Sequence, residues 1–143
     1  MKYTLDTNIL VYAADRSFPL HRQAVQLRDR AVAERGSVSL CFPVLLEFFA
    51  VITDPTRVRS PLDPEEAWEE VNAYAEAFQV VYPNERTLES LSHLISQHRV
   101  ARQNIFDALI VALMLQHGVE GIYTANRKDF ASFAEIEVLP WPE

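Results

Sequence analysis

The spacing of apolar residues changes several times along the chain, and each change marks a predicted element. Short apolar segments flanked by turn-forming residues predict strands. Five segments have this character: residues 1–6, SVSLC, FQVVYP, GIYTA and IEVLP. Between them, apolar residues recur every three or four positions, which predicts helices. Six helices are predicted: residues 8–14, 19–35, 43–53, 64–78, 85–98 and 104–117.

Residues typical of helix ends set the limits of these elements. Thr7 is predicted to cap the first helix, and Asn84 the fifth. Asp63 is followed by Pro64 and two glutamates, which predicts a strong helix start because these acids face the positive end of the helix dipole. Gly118 is predicted to close the last helix. Strands that alternate with helices imply an α/β fold with a parallel sheet covered on both faces.

Three acidic residues interrupt segments that are otherwise apolar. They are Asp6 in YTLDTNILVYA, Glu47 in PVLLEFFAVI and Asp107 in NIFDALIVALM. An ionised carboxylate is costly to bury unless a positive charge offsets it, and one shared cation explains all three acids at once. Ligands of parallel sheets bind at the carboxyl ends of the strands. Asp6 is predicted to lie at such an end and the other two in the first turns of helices, so all three are expected to face one crevice.

Each acid also has a simpler explanation. Asp6 is compatible with a turn or cap at the point where the strand becomes a helix. Glu47 is compatible with the one solvent-exposed position of an apolar helix. Asp107 is compatible with an acid in the first helical turn, where the helix dipole favours a negative charge. The three acids together favour a shared site over three separate coincidences. The histidines show no metal-like pairing and are assigned to surface or core: His21, His93, His98 and His117.

Composition limits the kind of protein. A length of 143 residues with 49% apolar and 23% charged residues predicts a single domain over residues 1–143. Cys41 is the only cysteine, which excludes an internal disulfide and a cysteine zinc cage. Charged residues or prolines interrupt every apolar run, and the start lacks the layout of a signal peptide. We therefore expect no membrane association and a cytoplasmic location.

The net charge of −7 argues against a general nucleic-acid binder, whose affinity comes from many contacts between basic side chains and phosphates. Eleven of the 13 basic residues are nevertheless arginines, which can grip an anion with two parallel hydrogen bonds. A local anion site is thus compatible with the acidic total. Clustered carboxylates repel one another, and Mg²⁺ or Mn²⁺ prefers such hard oxygen ligands. These ions can orient a phosphodiester and activate water.

Four segments, taken in order, resemble the PIN domain, and most closely the VapC-like toxin ribonucleases of toxin–antitoxin pairs. They are LDTNILVYA, the helix around Glu47, FDALIVALMLQHG and YTANRKDF. The resemblance covers essentially the whole chain. It implies a three-layer α/β/α sandwich with a central parallel sheet, and an acidic pocket that binds Mg²⁺ or Mn²⁺ and hydrolyses RNA.

The resemblance also implies roles for single residues. Asp6, Glu47 and Asp107 match the first three acids of the pocket, as metal ligands and catalytic residues. Asn8 matches the polar residue of the opening motif, and Thr124 matches the threonine before the last loop. Many relatives carry a fourth acid two residues after that threonine. Here that position is Asn126, with Asp129 three residues further on as the alternative catalytic acid, and the sequence leaves open which of the two completes the site.

The same resemblance implies partners. A VapC-like protein is expected to be held by a cognate VapB-like antitoxin, to act on transfer or ribosomal RNA, and to form a homodimer. An arginine of the antitoxin is expected to enter the acidic pocket. Leu45, Phe48 and Phe49 are candidates for a flanking apolar groove, although core packing is the simpler explanation for each.

Other functions fit the residues less well. A phosphatase of the haloacid dehalogenase type needs a second aspartate at position 8, where Asn8 stands. A phosphate-accepting receiver domain needs paired acids after the first strand and a lysine on a late strand, and neither is present. An inactive PIN-like interaction module and a housekeeping PIN nuclease stay open as alternatives.

Overall fold

A central sheet of five short strands organises the molecule. The computed structural model describes residues 1–143 without a gap. The strands are β1 (Tyr3–Leu5), β2 (Ser39–Cys41), β3 (Gln79–Val81), β4 (Gly121–Tyr123) and β5 (Glu137–Val138). All pairs are parallel: β1 pairs with β4, β4 with β5, and β2 with β3. A parallel bridge between Tyr3 and Val38 joins the two parts, which gives the order β3-β2-β1-β4-β5 and confirms the predicted parallel sheet.

Seven helices cover this sheet. They are α1 (Thr7–Ala14), α2 (His21–Ala33), α3 (Phe42–Ile52), α4 (Pro64–Ala77), α5 (Thr87–Gln97), α6 (Asn104–Gln116) and α7 (Arg127–Ala131). Helices α1 to α4 contact one another in one group, and α5 to α7 form a second group. The predicted α/β/α sandwich is confirmed. None of the helices has the length and apolar character needed to cross a bilayer.

One cluster of 34 buried apolar residues forms the core. Strands β1, β2 and β4 are buried at every position, as expected for a parallel sheet between two helical layers. Helix α6 contributes a continuous buried run from Ile110 to Met114. The acids of interest therefore lie beside a rigid, well-packed sheet.

Two predicted helix ends, at Asp63 and Gly118, are confirmed, and the residues show why. Asp63 forms a capping box with Glu66: the Glu66 amide donates to Asp63 Oδ1 at 2.9 Å, and the Asp63 amide donates to Glu66 Oε1 at 3.3 Å. Gly118 ends α6 with φ 67°, a conformation that glycine adopts at low cost.

Two predicted helix caps and one predicted position are wrong, and one helix was missed. Asp6, not Thr7, caps α1, because its carboxylate accepts from the Thr7 amide at 2.8 Å. Asn84 forms a turn before α5 by accepting from the Arg86 amide at 2.8 Å, and the helix begins only at Thr87. Glu47 lies in the second turn of α3, not the first. The short helix α7 was not predicted, since five residues are too few for a periodic signal.

Candidate active site

Asp6 is the most enclosed acid of the site. It follows β1 directly and is 8% exposed. Its carboxylate accepts three hydrogen bonds: from the Thr7 amide at 2.8 Å, the Asn8 side chain at 3.2 Å and the Thr124 hydroxyl at 2.7 Å. Burial raises the pKa of Asp6, while these three bonds oppose the rise. The carboxylate is therefore held in one orientation at the end of the strand.

Two polar side chains join the end of β1 to the end of β4. Asn8 donates to Asp6 and accepts from the Ala125 amide at 2.9 Å. Thr124 is fully buried, and its hydroxyl also accepts from the Asn126 amide at 3.0 Å. The two residues assigned by resemblance as supporting groups thus fix Asp6 and shape the loop that follows β4.

Glu47 stands at the open side of the site. An apolar helix of this kind is usually buried all round, but Leu46, Glu47 and Ala50 form an exposed stripe on α3. Glu47 is thus exposed to solvent and also lines the same cleft as the other acids. Partial burial and the negative charge of Asp6 raise the pKa of the Glu47 carboxyl. The two carboxylates are therefore close enough to repel each other.

Asp107 approaches from the first turn of α6. The Asn104 side chain donates to Asp107 Oδ2 at 3.3 Å and orients it from one turn away. Partial burial and the charges of Asp129, Asp6 and Glu47 together raise the pKa of Asp107 to about 6, while the hydrogen bond from Asn104 opposes the rise. Asn104 was predicted only to start this helix; its position three residues before Asp107 was the available signal for the second role.

A cleft of about 320 Å³ collects these residues. Asp6, Glu47, Asp107 and Asn126 all line it, so the structure brings together the three acids that the sequence predicted. Its apolar wall comes from α3 and α6. That wall consists of Pro43, Val44, Leu46, Phe106, Leu109 and Ile110.

Asp129 and Asn126 take different positions. Asn126 lines the cleft, whereas Asp129 is exposed on α7 and lines a neighbouring depression with Asn104 and Lys128. The charge of Asp129 still raises the pKa of Asp107. Asp129 is therefore near Asp107 but outside the cleft itself.

The apolar residues proposed for a partner groove also divide. Leu45 and Phe48 are buried in the core, at 2% and 0% exposure, and Phe49 is half-buried. Two other residues of the cleft wall are exposed instead: Leu46 at 44% and Phe106 at 59%. The simpler explanation was correct for Leu45 and Phe48, because the helix turns these positions inward.

The acids of the site form no salt bridge within the chain. The only side-chain ion pairs are Arg28–Asp29 and His98–Glu135, both elsewhere. No three Asp, Glu, His or Cys side chains come together as a preformed metal cage. Mg²⁺ keeps several waters and commonly uses only one or two carboxylates. The donor set, all hard oxygen and without a neutralising cation, therefore fits a hydrated divalent ion and does not fit a closed cage.

A second cavity, which was not predicted from the sequence, adjoins the cleft. It is lined in part by Tyr12, Phe18 and Arg57. Tyr12 was predicted only as part of the first helix, and Arg57 lies between two predicted helices. The signal that was available is the aromatic character of Tyr12 and Phe18 on either side of the turn after α1.

The chain is similar in sequence to a known protein family and to proteins named as ribonucleases. The family model described as the PIN domain matches residues 3–136. Ribonuclease VapC48 of Mycobacterium tuberculosis is 34% identical over 140 residues, which is 96% of each chain. Ribonuclease VapC24 of the same organism is 31% identical over 131 residues, which is 91% of this chain and 90% of that one.

Solved structures share the fold. VapBC2 of Rickettsia felis, solved with a DNA fragment from the promoter, gives a TM-score of 0.70 at 17% identity and covers 99% of this chain and 100% of that one. VapC20 of Mycobacterium tuberculosis, described as a toxin that cleaves the sarcin–ricin loop, gives 0.68 at 17% identity with the same coverage. At this identity the likeness concerns the fold alone.

Proposed function

The chain belongs to the PIN-domain family, with VapC proteins as its relatives, and we propose that it is the ribonuclease toxin of a toxin–antitoxin pair. In this proposal it hydrolyses RNA phosphodiester bonds in the cytoplasm with the help of Mg²⁺ or Mn²⁺. The observation that supports the proposal best is that Asp6, Glu47 and Asp107 line one cleft and form no salt bridge within the chain.

The three acids have distinct roles in the proposal. Asp6, held by three hydrogen bonds, and Asp107, oriented by Asn104, are the main metal ligands. Glu47 is the third acid and faces the same cleft from its exposed side. When bound, the divalent ion withdraws charge from the phosphodiester and makes the attacking water more acidic.

The remaining site residues support these acids. Asn8 and Thr124 keep Asp6 in one orientation. Asn126 offers an amide at the cleft wall, while Asp129 adds negative charge near Asp107 from outside. We assign Asn126 to positioning the substrate or a water molecule that belongs to the hydrated ion. We assign Asp129 to an electrostatic role, in which its charge acts on Asp107 during the same reaction.

Partners follow from the surface around the cleft. The net charge of −7 and the acidic cleft attract a basic side chain, such as an arginine of a VapB-like antitoxin. Leu46 and Phe106 add exposed apolar area at the same opening. A homodimer, common among such toxins, completes the proposed assembly.

The deciding experiment is RNA cleavage by the purified protein. We expect cleavage with Mn²⁺ or Mg²⁺, loss of cleavage with a chelator, and a loss of several orders of magnitude in Asp6→Asn and Asp107→Asn. Asp29→Asn, which changes an exposed acid on α2, is the matched control and should keep full activity.

Three outcomes would contradict the proposal. Full activity of Asp6→Asn at saturating metal would remove the acid cleft as the reaction centre. If the folded protein cleaves no RNA and is harmless when expressed alone, an inactive interaction module becomes the better explanation. If it cleaves RNA but binds no neighbouring small protein, a housekeeping PIN nuclease replaces the toxin.

A further inference from the structure

The cavity beside the acidic cleft has the features of a binding site. Its volume is about 210 Å³, and it shares Thr7, Glu47 and Asn126 with the cleft. A ligand that extends out of the cleft past Glu47 therefore enters this cavity directly. The volume lies below the range of about 300 to 1,000 Å³ typical for drug-sized ligands, so it suits one planar ring system and excludes a peptide helix.

Two aromatic rings form part of the cavity wall. The rings of Tyr12 and Phe18 are 4.6 Å apart between centroids and tilted by 35°. Both are half-buried, so each still offers surface to a ligand. His21 Nδ1 lies 2.8 Å from the Tyr12 carbonyl oxygen, a contact that links α2 to α1 and fixes the corner between them. The rings thus form a stable platform next to the acids.

Two polar side chains of the same cavity have no hydrogen-bond partner within the chain. The backbone of Asn126 is engaged, since its amide donates to the Thr124 hydroxyl and its carbonyl accepts from the amides of Asp129 and Phe130, but its side-chain amide forms no hydrogen bond within the chain. Arg57 is exposed and forms no ion pair, although its charge lowers the pKa of Glu47. A guanidinium and an amide beside an aromatic platform are the groups that read the polar edge of a base.

We propose that this cavity binds one unpaired base of the RNA, that of a nucleotide next to the bond that is cut. The base stacks on Tyr12, and its polar edge meets the side chains of Arg57 and Asn126. Single-stranded bases are commonly bound by stacking on aromatic rings combined with hydrogen bonds to their edges. This inference rests on the proposed ribonuclease function and adds the element of RNA that the protein reads.

The chemistry of the wall favours a base over an apolar side chain of a protein partner. An apolar occupant would cover Arg57 and Asn126 without offering them hydrogen bonds, and such burial is costly. A base offers ring nitrogens and exocyclic groups at its edge and a flat apolar face to the rings. A base can therefore form hydrogen bonds with the polar side chains and stack on the aromatic rings at the same time.

The test measures binding without metal, so that it does not depend on cleavage. The probes are short single-stranded oligouridylates that carry one fluorescent base, either 2-aminopurine or pyrrolocytosine. We expect the wild-type protein to quench at least one probe on binding. Tyr12→Leu should weaken that binding about fivefold or more, since stacking contributes about 1 to 3 kcal/mol per base. Tyr12→Phe should retain it.

Matched variants separate the proposal from folding defects and from the general function. Phe18→Leu is the second test if Tyr12→Leu does not fold, and Arg57→Gln, at an exposed position, should weaken binding without affecting the core. Trp68→Leu changes an exposed aromatic residue that pairs with Phe49 and lines neither cavity, so it should leave binding unchanged.

Three results would overturn the base site. One is RNA cleavage and probe binding that are unaffected by the Tyr12, Phe18 and Arg57 variants, which would leave the ribonuclease proposal intact. The second is a loss of antitoxin binding with unchanged probe binding in Tyr12→Leu, which would assign the cavity to the protein partner. The third is the absence of any quenching in the wild-type protein. Failure of the ribonuclease proposal itself is recognised separately, by absence of cleavage in a folded protein.

Discussion

Thr124 donates its hydroxyl hydrogen to Asp6 Oδ2 at 2.7 Å, although the two residues are 118 positions apart. The bond crosses between the ends of two paired strands, β1 and β4. It is buried, and it is the shortest of the three bonds that the Asp6 carboxylate accepts. The orientation of the central acid of the site thus depends on a residue near the other end of the chain.

Thr124→Val tests this dependence. The valine keeps the shape but removes the donor, so we expect the free energy of unfolding to fall by about 1.5 to 3 kcal/mol and RNA cleavage to fall at least tenfold. Denaturant unfolding and cleavage rates measure the two effects. An unchanged cleavage rate would show that Asp6 needs no such support.

Thr4→Val is the matched comparison on β1. Thr4 Oγ1 is buried without a hydrogen-bond partner, and its neighbour, the Cys41 thiol, is at most a weak donor. Removing an unsatisfied buried hydroxyl should leave stability unchanged or raise it by about 1 kcal/mol. Denaturant unfolding checks this, and a clear loss of stability would contradict it.

Metal binding should stabilise the folded protein. The acids of the cleft lack a cation from the chain, so an ion at 100 times its dissociation constant should add about 2.7 kcal/mol. For a domain of this size that corresponds to an increase in Tm of roughly 5 to 10 °C. Thermal unfolding with Mn²⁺ and with a chelator measures it, with Asp6→Asn expected to lose most of the shift and Asp29→Asn to keep it. No shift up to millimolar Mn²⁺ would argue against a shared ion.

Much of this site follows from the sequence because its signals are local. Acids in apolar segments are visible one by one, and the alternation of strands and helices predicts that strand ends meet at one edge. The capping box of α4 is equally local, since Asp63 and Glu66 are three residues apart. These features needed no knowledge of distant contacts.

What the sequence could not provide depends on residues far apart in the chain. The exposed stripe at Leu46 and Glu47 depends on how α3 packs, and a segment that is apolar everywhere except at Glu47 shows no preferred buried face. The bond from Thr124 to Asp6 and the pairing of Tyr12 with Phe18 across a turn are also tertiary. The resemblance to the PIN domain identified Thr124 as a site residue, but it did not indicate that Thr124 donates a hydrogen bond to Asp6.

Stability at low pH should depend on Asp15, a buried acid outside the active site. Asp15 is 5% exposed. Burial would raise its pKa, but amide donors, among them Ser17 at 2.9 Å and Arg59 at 3.0 Å, lower it overall. A lowered pKa means that the contribution is complete above the ordinary value of 3.8 and is lost as pH falls through the folded-state pKa.

Asp15→Asn should therefore destabilise the protein by about 1 to 3 kcal/mol at neutral pH, and the difference from the wild type should shrink well below pH 3.8. Urea unfolding at both pH values measures this difference. A difference that stays constant across pH would show that the charge of Asp15 contributes nothing. Asp29→Asn, on the exposed surface, should show no such pH dependence.

The affinity of the proposed antitoxin for this protein should depend on the apolar residues at the opening of the cleft. Leu46→Ser and Phe106→Ser remove exposed apolar area at that opening and should weaken a co-expressed complex by about tenfold each, since buried interface anchors contribute at least 1 kcal/mol. Leu88→Ser, which changes a residue that is 75% exposed on α5, is the control. Affinity measurement on purified complexes gives the comparison, and equal effects of all three variants would place the partner elsewhere.

The position of β1 at the centre of the sheet has a consequence for synthesis on the ribosome. Its neighbour β4 is made more than a hundred residues later. A ribosome that has released only the first hundred residues holds Asp6 and Glu47 but neither Asp107 nor Thr124. Nascent chains and truncated products that stop before Asp107 therefore lack the assembled cleft, and the proposed activity has to wait for the synthesis of α6 and β4.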